Sequence, residues 1–259
     1  MGEGLLDLTG RIVVVSGAGG GGIGTTVTEM VARAGATVLA VSRSRDNLDT
    51  HVAPLAAQGL AVVPVVADAA TDEGIATVLQ AARSTDGQLH GLVNIAGGAA
   101  PDTWMPSTRV SRADWRALFT QNLETMFFMS QAVAAELRAR GLPGSIVSLS
   151  SISGMNTAPY HVAYGTAKAA VVAATRTMAV ELAAAGIRVN AVAPGPIWTP
   201  LQPATRDSED VEKFGSDTPL GRAGQPAELA PAFVFLASPA DASYVSGTIL
   251  GVTGGKATL

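Results

Sequence analysis

Short runs of apolar, mostly β-branched residues recur along the chain, and stretches with helical spacing of apolar positions separate them. Seven runs predict strands: 12–16, 37–41, 62–67, 91–95, 145–149, 188–192 and 248–252. They are apolar almost throughout rather than alternating with polar residues, which suits a parallel sheet covered on both faces. Between them, the spacing predicts a long helix over 111–140, with Leu118, Asn122, Met126, Phe127, Val133 and Leu137 on one broad face. A second long helix is expected over 162–185, rich in alanine and carrying small residues on several faces, so that it packs closely on a partner element or subunit. No linker, repeat or composition break divides the chain. Strand–helix alternation of this kind predicts one domain over 1–259, a doubly wound α/β sandwich of about seven mostly parallel strands with helices on both faces.

Composition narrows the function more than the fold. The 259 residues are 47% hydrophobic and 15% charged, a globular profile. With 17 basic against 21 acidic residues, net charge −4 and no basic stripe, a nucleic-acid partner is not expected. Cysteine is absent, which removes disulfides, thiolate nucleophiles and cysteine-based metal sites. The three histidines (His51, His90, His161) have no ligand spacing, so no metal is expected. Residues 1–11 lack the basic start and apolar core of a signal peptide, and the apolar runs are too short to span a bilayer. A cytoplasmic protein without a membrane partner is the resulting expectation.

The first predicted strand runs directly into Ser16-Gly17-Ala18-Gly19-Gly20-Gly21-Gly22-Ile23-Gly24, with a helix expected to start near Thr25. Glycines there permit a tight turn, let backbone approach a pyrophosphate and let the helix pack on the strand. Phosphates then meet the free N–H groups at the helix start. A flexible turn is the plainer reading of a glycine run, but this placement favours dinucleotide binding in a Rossmann-type fold. No lysine follows the last glycine, so a nucleoside-triphosphatase loop is disfavoured. At the end of the second strand Ser42 stands where an NAD site places an acid, and Arg43 follows. An arginine there accommodates a 2′-phosphate, so NADP(H) is favoured over NAD(H); a surface arginine opening a helix is the alternative.

Tyr164 and Lys168 lie four residues apart near a predicted helix start, hence on one face. A phenol ordinarily titrates near ~10, and a neighbouring ammonium, with an oxidised nicotinamide, would favour the phenolate. Ser151 follows the fifth predicted strand, thirteen residues before Tyr164. Sites in such sheets form beyond the carboxyl ends of strands, so Ser151 is placed to hold a substrate oxygen. Asn122, an amide on an otherwise apolar face, is either a satisfied core asparagine or part of a proton relay.

Taken together and in order, these motifs resemble the short-chain dehydrogenase/reductase family over nearly the whole chain. The resemblance rests on the Gly17 to Gly24 loop, Asp68, Asn94-Ile95-Ala96-Gly97, the set Asn122, Ser151, Tyr164 and Lys168, then Asn190 and Pro194-Gly195-Pro196-Ile197 with Thr199. It implies an oxidoreductase moving a hydride between a nicotinamide dinucleotide and a ketone or secondary alcohol. Tyr164 is then the general acid or base, and Ser151 orients and polarises the substrate oxygen. Lys168 holds the nicotinamide ribose, lowers the tyrosine pKa and passes protons through a water near Asn122. Gly17, Gly22, Ile23, Gly24, Arg43, Asp68, Asn94, Gly97, Pro194, Gly195, Ile197 and Thr199, with Tyr164 and Lys168, are the implied cofactor contacts. A homotetramer (or homodimer) built on the two long helices is implied as well. Two departures stand out: the glycine loop is one residue longer than usual and lacks the basic residue of some NADP-dependent members, and Thr253-Gly254-Gly255 replaces Asp-Gly-Gly. A non-catalytic dinucleotide sensor or scaffold, and a reductase of imines or C=C bonds, are the other readings.

Around the expected pocket, Trp104 and Met105 either line the substrate site or pin a loop. Met155 and Tyr160 lie between Ser151 and Tyr164, and Trp198 follows Ile197, so these complete the candidate pocket. Its apolar flavour leans towards ketones, steroids or acyl chains. His161 reads as structural or solvated. The polar, proline-broken stretch 200–222, with a short helix over 209–213, is expected to be a substrate lid.

Overall fold

Every apolar run forms a strand in the computed structural model, which describes residues 5–99, 103–200, 202–203 and 208–257. The strands are β1 (Arg11–Ser16), β2 (Thr37–Ser42), β3 (Val62–Val66), β4 (Gln88–Asn94), β5 (Gly144–Leu149), β6 (Ile187–Pro194) and β7 (Ile249–Val252). They form one sheet in the order β3-β2-β1-β4-β5-β6-β7, and each pairing is parallel. The helices are α1 (Ile23–Arg33), α2 (Arg45–His51), α3 (Ala53–Ala57), α4 (Asp72–Ser84), α5 (Arg112–Phe119), α6 (Thr125–Ala139), α7 (Val162–Leu182), α8 (Ser208–Lys213) and α9 (Pro226–Ala237).

Why the strands are apolar on both faces follows from the pleat, which sends successive side chains to opposite sides. Val13 and Val15 pack with Val27 and Val31 of α1 and Phe233 of α9. Ile12 and Val14 pack on the other side with Met129 and Val133 of α6 and Met178 of α7. β3 is an edge strand, and its outer position shows in Val63 and Val66, each 37% exposed, and in Pro64 at its centre. Proline is tolerated there because Ala67 N donates to Ser42 O on β2, so by alternation the nitrogen of residue 64 faces away from the sheet.

The expected single helix over 111–140 is interrupted. Thr120–Glu124 form a π turn between α5 and α6, and this turn carries Asn122. π turns are frequent at functional positions. The apolar stripe runs on through it, with Met129, Ser130 and Ala134 buried where Phe127 is only half-buried, so the pattern gave no sign of the break. α7 ends at Leu182, and the last expected turn is a 3₁₀ segment closed by Gly186 with φ 70. Among the described residues no helix is long and apolar enough to cross a membrane.

Connections from β1 run outward through β2 to β3, while those from β4 run the opposite way to β7. A crevice therefore opens beyond the carboxyl ends of β1 and β4, where ligands bind in such sheets.

Candidate active site

A cleft of about 1020 Å³ occupies that crevice. Its floor is the glycine loop. Gly17 has φ +77, and a Cβ on it would lie 2.6 Å from Ala96 N, so only glycine lets the ends of β1 and β4 touch. A Cβ on Gly24 would lie 2.0 Å from Gly17 O, so α1 can seat on the loop only with hydrogen at that position. α1 begins at Ile23, two residues before the expected start, and its N-cap residue Gly22 makes no side-chain cap. The first-turn N–H groups of α1 are thus left for a ligand at the helix start. Gly20 also borders the cleft, and a Cβ there would meet no protein atom. This uncapped helix start above a side-chain-free cradle fits the pyrophosphate of a dinucleotide.

At the end of β2 the wall is Ser42, Arg43, Ser44 and Asn47, with no carboxylate among them. Ser42 Oγ accepts from Ser44 N at 3.3 Å, and Ser44 caps α2 by accepting from Asn47 N at 3.1 Å. Asp68 borders the cleft beyond β3, and its carboxylate accepts from Ala70 N at 3.0 Å.

Ser151, Tyr164 and Lys168 converge because the loop after β5 lies hard against α7. A Cβ on Gly154 would lie 2.5 Å from Lys168 C, and one on Gly165 would lie 2.8 Å from Ser153 O. Ser150 Oγ donates to Lys168 O at 3.1 Å, tying the strand end to the helix. Lys168 is buried, donates from Nζ to Leu149 O at 2.8 Å and sits 5.8 Å from the centre of the Tyr164 ring. Burial lowers its pKa from 10.5 to about 8.

The expected lowering of the Tyr164 pKa does not appear in the protein without cofactor. Tyr164 touches the cleft with part of its surface yet lies deep in the molecule, and this burial raises its pKa. A hydrogen bond with Ser151 opposes the rise, while the Lys168 ammonium is directed at Leu149 O instead. At neutral pH the phenol is therefore protonated.

The side-chain amide of Asn122 is hydrogen-bonded at both ends. Its Oδ1 accepts from Gly98 N at 2.8 Å, and its Nδ2 donates to Gly98 O at 2.8 Å and Leu118 O at 3.0 Å. It clamps the loop after β4, and a Cβ on Gly97 would lie 2.7 Å from Asn122 Oδ1. Asn94 likewise stands behind the wall, donating to Ser130 Oγ at 2.9 Å and Ser148 Oγ at 3.2 Å.

Gly22, Ile23, Gly97, Pro194, Gly195, Ile197 and Thr199 all join the wall. Of the five candidate pocket residues, only Trp104 does. Met105 donates its N–H to Tyr160 O at 3.0 Å, which pins two loops together, and Tyr160 is 62% exposed with φ 66. Trp198 packs towards Phe214, ring centres 6.3 Å apart, and it is Phe214 that reaches the cleft. Met155 also stays outside the wall. Pro101 and Asp102, in the loop before Trp104, lie outside the described residues, as do 201 and 204–207 of the expected lid.

The family model described as Enoyl-(Acyl carrier protein) reductase matches residues 17–257. The chain belongs to the short-chain dehydrogenase/reductase family. A glucose and ribitol dehydrogenase homolog of Oryza sativa subsp. japonica is 39% identical, covering 96% of this chain and 86% of its own length. A 7α-hydroxysteroid dehydrogenase solved with NADH and 7-oxo glycochenodeoxycholic acid superposes with TM-score 0.88 at 34% identity, covering 98% of this chain and 97% of that one. A gluconate 5-dehydrogenase from Burkholderia cenocepacia, solved with NADP and tartrate, gives 0.87 at 32% identity over 96% of each chain. This short-chain dehydrogenase/reductase is therefore an oxidoreductase of a nicotinamide-dependent family.

Sequence reasoning missed several residues of its cleft. Gly19, Gly20, Ser44 and Asn47 border it near the glycine loop and the β2 end, and His161, Gln202, Phe214 and Lys256 border it elsewhere. The glycine run pointed to the first pair. Nothing in the local pattern marked Phe214 or Lys256, which reach the cleft only through the chain's return after β6 and β7.

Proposed function

We propose that this enzyme transfers a hydride between NADP(H), in preference to NAD(H), and a ketone or secondary alcohol, with Tyr164 as general acid/base. The observation that carries the reading is the meeting of Ser151, Tyr164 and Lys168 in one cleft with the side-chain-free glycine cradle. A bound nicotinamide supplies the hydride donor or acceptor. Glycines 17 to 24 and the α1 start would hold its pyrophosphate, and Lys168, once drawn from Leu149 O, its ribose. Ser151 holds the substrate oxygen against the phenol, and a Tyr164 that is protonated at neutral pH gives its proton to the oxygen of a ketone as the carbonyl is reduced. Arg43 at a β2 end that carries no carboxylate supports the NADP(H) preference.

The test is oxidation of NADPH and of NADH, followed by absorbance, against ketones, diketones, ketosteroids and acyl thioesters, then the reverse reaction on alcohols. Turnover favouring NADPH is expected. Tyr164→Phe should lower kcat by at least ~1000-fold, while dinucleotide affinity stays within about threefold. Consumption of neither cofactor by any substrate would move weight to a turnover-free sensor or scaffold. Reduction of only imines or C=C bonds would displace the Ser151–Tyr164 roles, which are built around an oxygen.

Residues 200–222 act as the substrate lid in this reading. Their neck is pinned where Ile197 bridges Gly224 and Trp198 N donates to Gly224 O at 2.7 Å, and Gln202 and Phe214 border the cleft. A homotetramer (or homodimer) is supported by Trp115, Phe128 and Val162, apolar and exposed on α5, α6 and α7; light scattering tests it. A cytoplasmic location belongs to the same reading and is tested by cell fractionation.

A further inference from the structure

We propose that the substrate carries a carboxylate, held at the far end of the cleft by Lys256 with His161 beside it. The inference rests on the hydride-transfer reading and names its substrate class.

The segment after β7 is stitched across that end of the cleft. Leu220 N, from the lid, donates to Gly254 O at 3.0 Å, and Asn156 Nδ2, from the loop that begins at Ser151, donates to Ala257 O at 2.5 Å. Thr253 Oγ1 donates to Lys256 O at 2.7 Å, which fixes the turn between them. Lys256 is thereby held between the lid and the loop carrying Ser151, and it borders the same cleft as Ser151 and Tyr164. Its Nζ lies 2.5 Å from Asp217 Oδ2, but the Asp217 side chain is 72% exposed against 27% for Lys256. An ion pair whose acid stands in water is weak, and this contact uses one of three ammonium donors. Asp217 lies outside the cleft wall, so a carboxylate in the cleft would take the remaining ammonium donors.

His161 occupies the N-cap position of α7 and borders the cleft with its ring tilted against Trp104, centres 4.6 Å apart. The same ring meets Tyr164 edge-on at 6.4 Å, so a group beside His161 is within a few bonds of the reacting oxygen. Among the described residues, the one carboxylate in the cleft wall is Asp68. It follows β3, at one edge of the sheet, while the Lys256 segment is bonded to the loop after β5, several strands away. The far end therefore combines an ammonium, an imidazole and the aromatic faces of Trp104 and Phe214, with no acid in its wall among the described residues. That chemistry complements a single carboxylate on a short carbon chain. A phosphate monoester asks for more donors than one lysine and one imidazole supply.

The experiment compares NADPH-dependent reduction of acetoacetate, levulinate and 5-oxohexanoate with reduction of their amides. The acid is expected to be preferred at least tenfold in kcat/KM at one chain length. Lys256→Gln should erase that preference through KM, Lys256→Arg should retain it, and Asp217→Asn should keep or enlarge it. Equal use of acids and amides by the wild type, or equal loss of both in Lys256→Gln, would overturn the proposal. If no carbonyl compound is reduced, charged or neutral, the hydride-transfer reading fails by itself. The carboxylate site is then decided by tryptophan fluorescence of the dinucleotide-loaded protein titrated with succinate and with succinamide. Tighter binding of succinate, weakened at least tenfold in Lys256→Gln, sustains it; equal affinities for the two ligands, or for the two proteins, overturn it.

Discussion

Replacing Lys168 with methionine should change how the stability of the cofactor-free protein depends on pH. The Lys168 ammonium is 2% exposed and its pKa falls from 10.5 to about 8. The unfolded chain then binds that proton more tightly than the folded one, so stability rises with pH across the window from about 8 to 10.5. At ~1.36 kcal/mol per pKa unit, the buried charge costs the fold about 3 kcal/mol at pH 7. Roughly 2.5 kcal/mol of this is recovered by pH 10. Methionine has no titrating group and similar volume, so the wild type should gain that amount over Lys168→Met between the two pH values. Loss of the bond to Leu149 O adds an offset of ~1–2 kcal/mol that is the same at every pH. The raised Tyr164 pKa works in the opposite direction above its ordinary 10.0, but both proteins contain it. Urea unfolding of both at pH 7, 8, 9 and 10 measures the difference. Curves that stay parallel within about 0.5 kcal/mol would refute the reasoning, because the lysine would then be titrating alike in both states.

Gly24→Ala forces a Cβ to within 2.0 Å of Gly17 O, and should destabilise the protein by ~2 kcal/mol or more and abolish dinucleotide binding, read by thermal unfolding and by cofactor titration. Arg43→Ala removes a contact of the charge-assisted kind, worth ~1.5–3 kcal/mol, so kcat/KM with NADPH should fall by roughly 10–150-fold while that with NADH holds. Asn122→Ala strips partners from Gly98 N, Gly98 O and Leu118 O, and should cost ~2–3 kcal/mol in chemical denaturation. An Asn122→Ala protein as stable as wild type would mean that the loop after β4 is held elsewhere.

The sheet was legible because burial on both faces demands uninterrupted apolar strands, and such runs stand out against helical spacing. Its strand ends were less so: Gln88 and His90 belong to β4, yet their polar side chains hid the first half of that strand. The π turn at Asn122 left no mark, because Leu118, Asn122, Met126, Val133 and Leu137 keep helical spacing and stay buried on either side of it. Ser151, Tyr164 and Lys168 were found because the strand end and the helix face set where they point. Met105, Met155, Tyr160 and Trp198 were misplaced for the converse reason. Side-chain direction in loops is set by contacts such as Met105 N to Tyr160 O, which no periodicity encodes. Lys256 is the extreme case, a residue after β7 that borders the same cleft as Ser151.

Pro64 at the outer edge of β3 has a consequence for the solution behaviour of the protein. A sheet with open edges invites another chain to add a strand, and growth of that kind leads to aggregates. The missing N–H at residue 64 breaks the row of outward donors on the β3 side. Strand addition is thereby directed to the opposite margin, the four residues of β7. Replacing Pro64 with valine would restore the row, and such a variant should precipitate sooner on warming while its fold and chemistry stay intact.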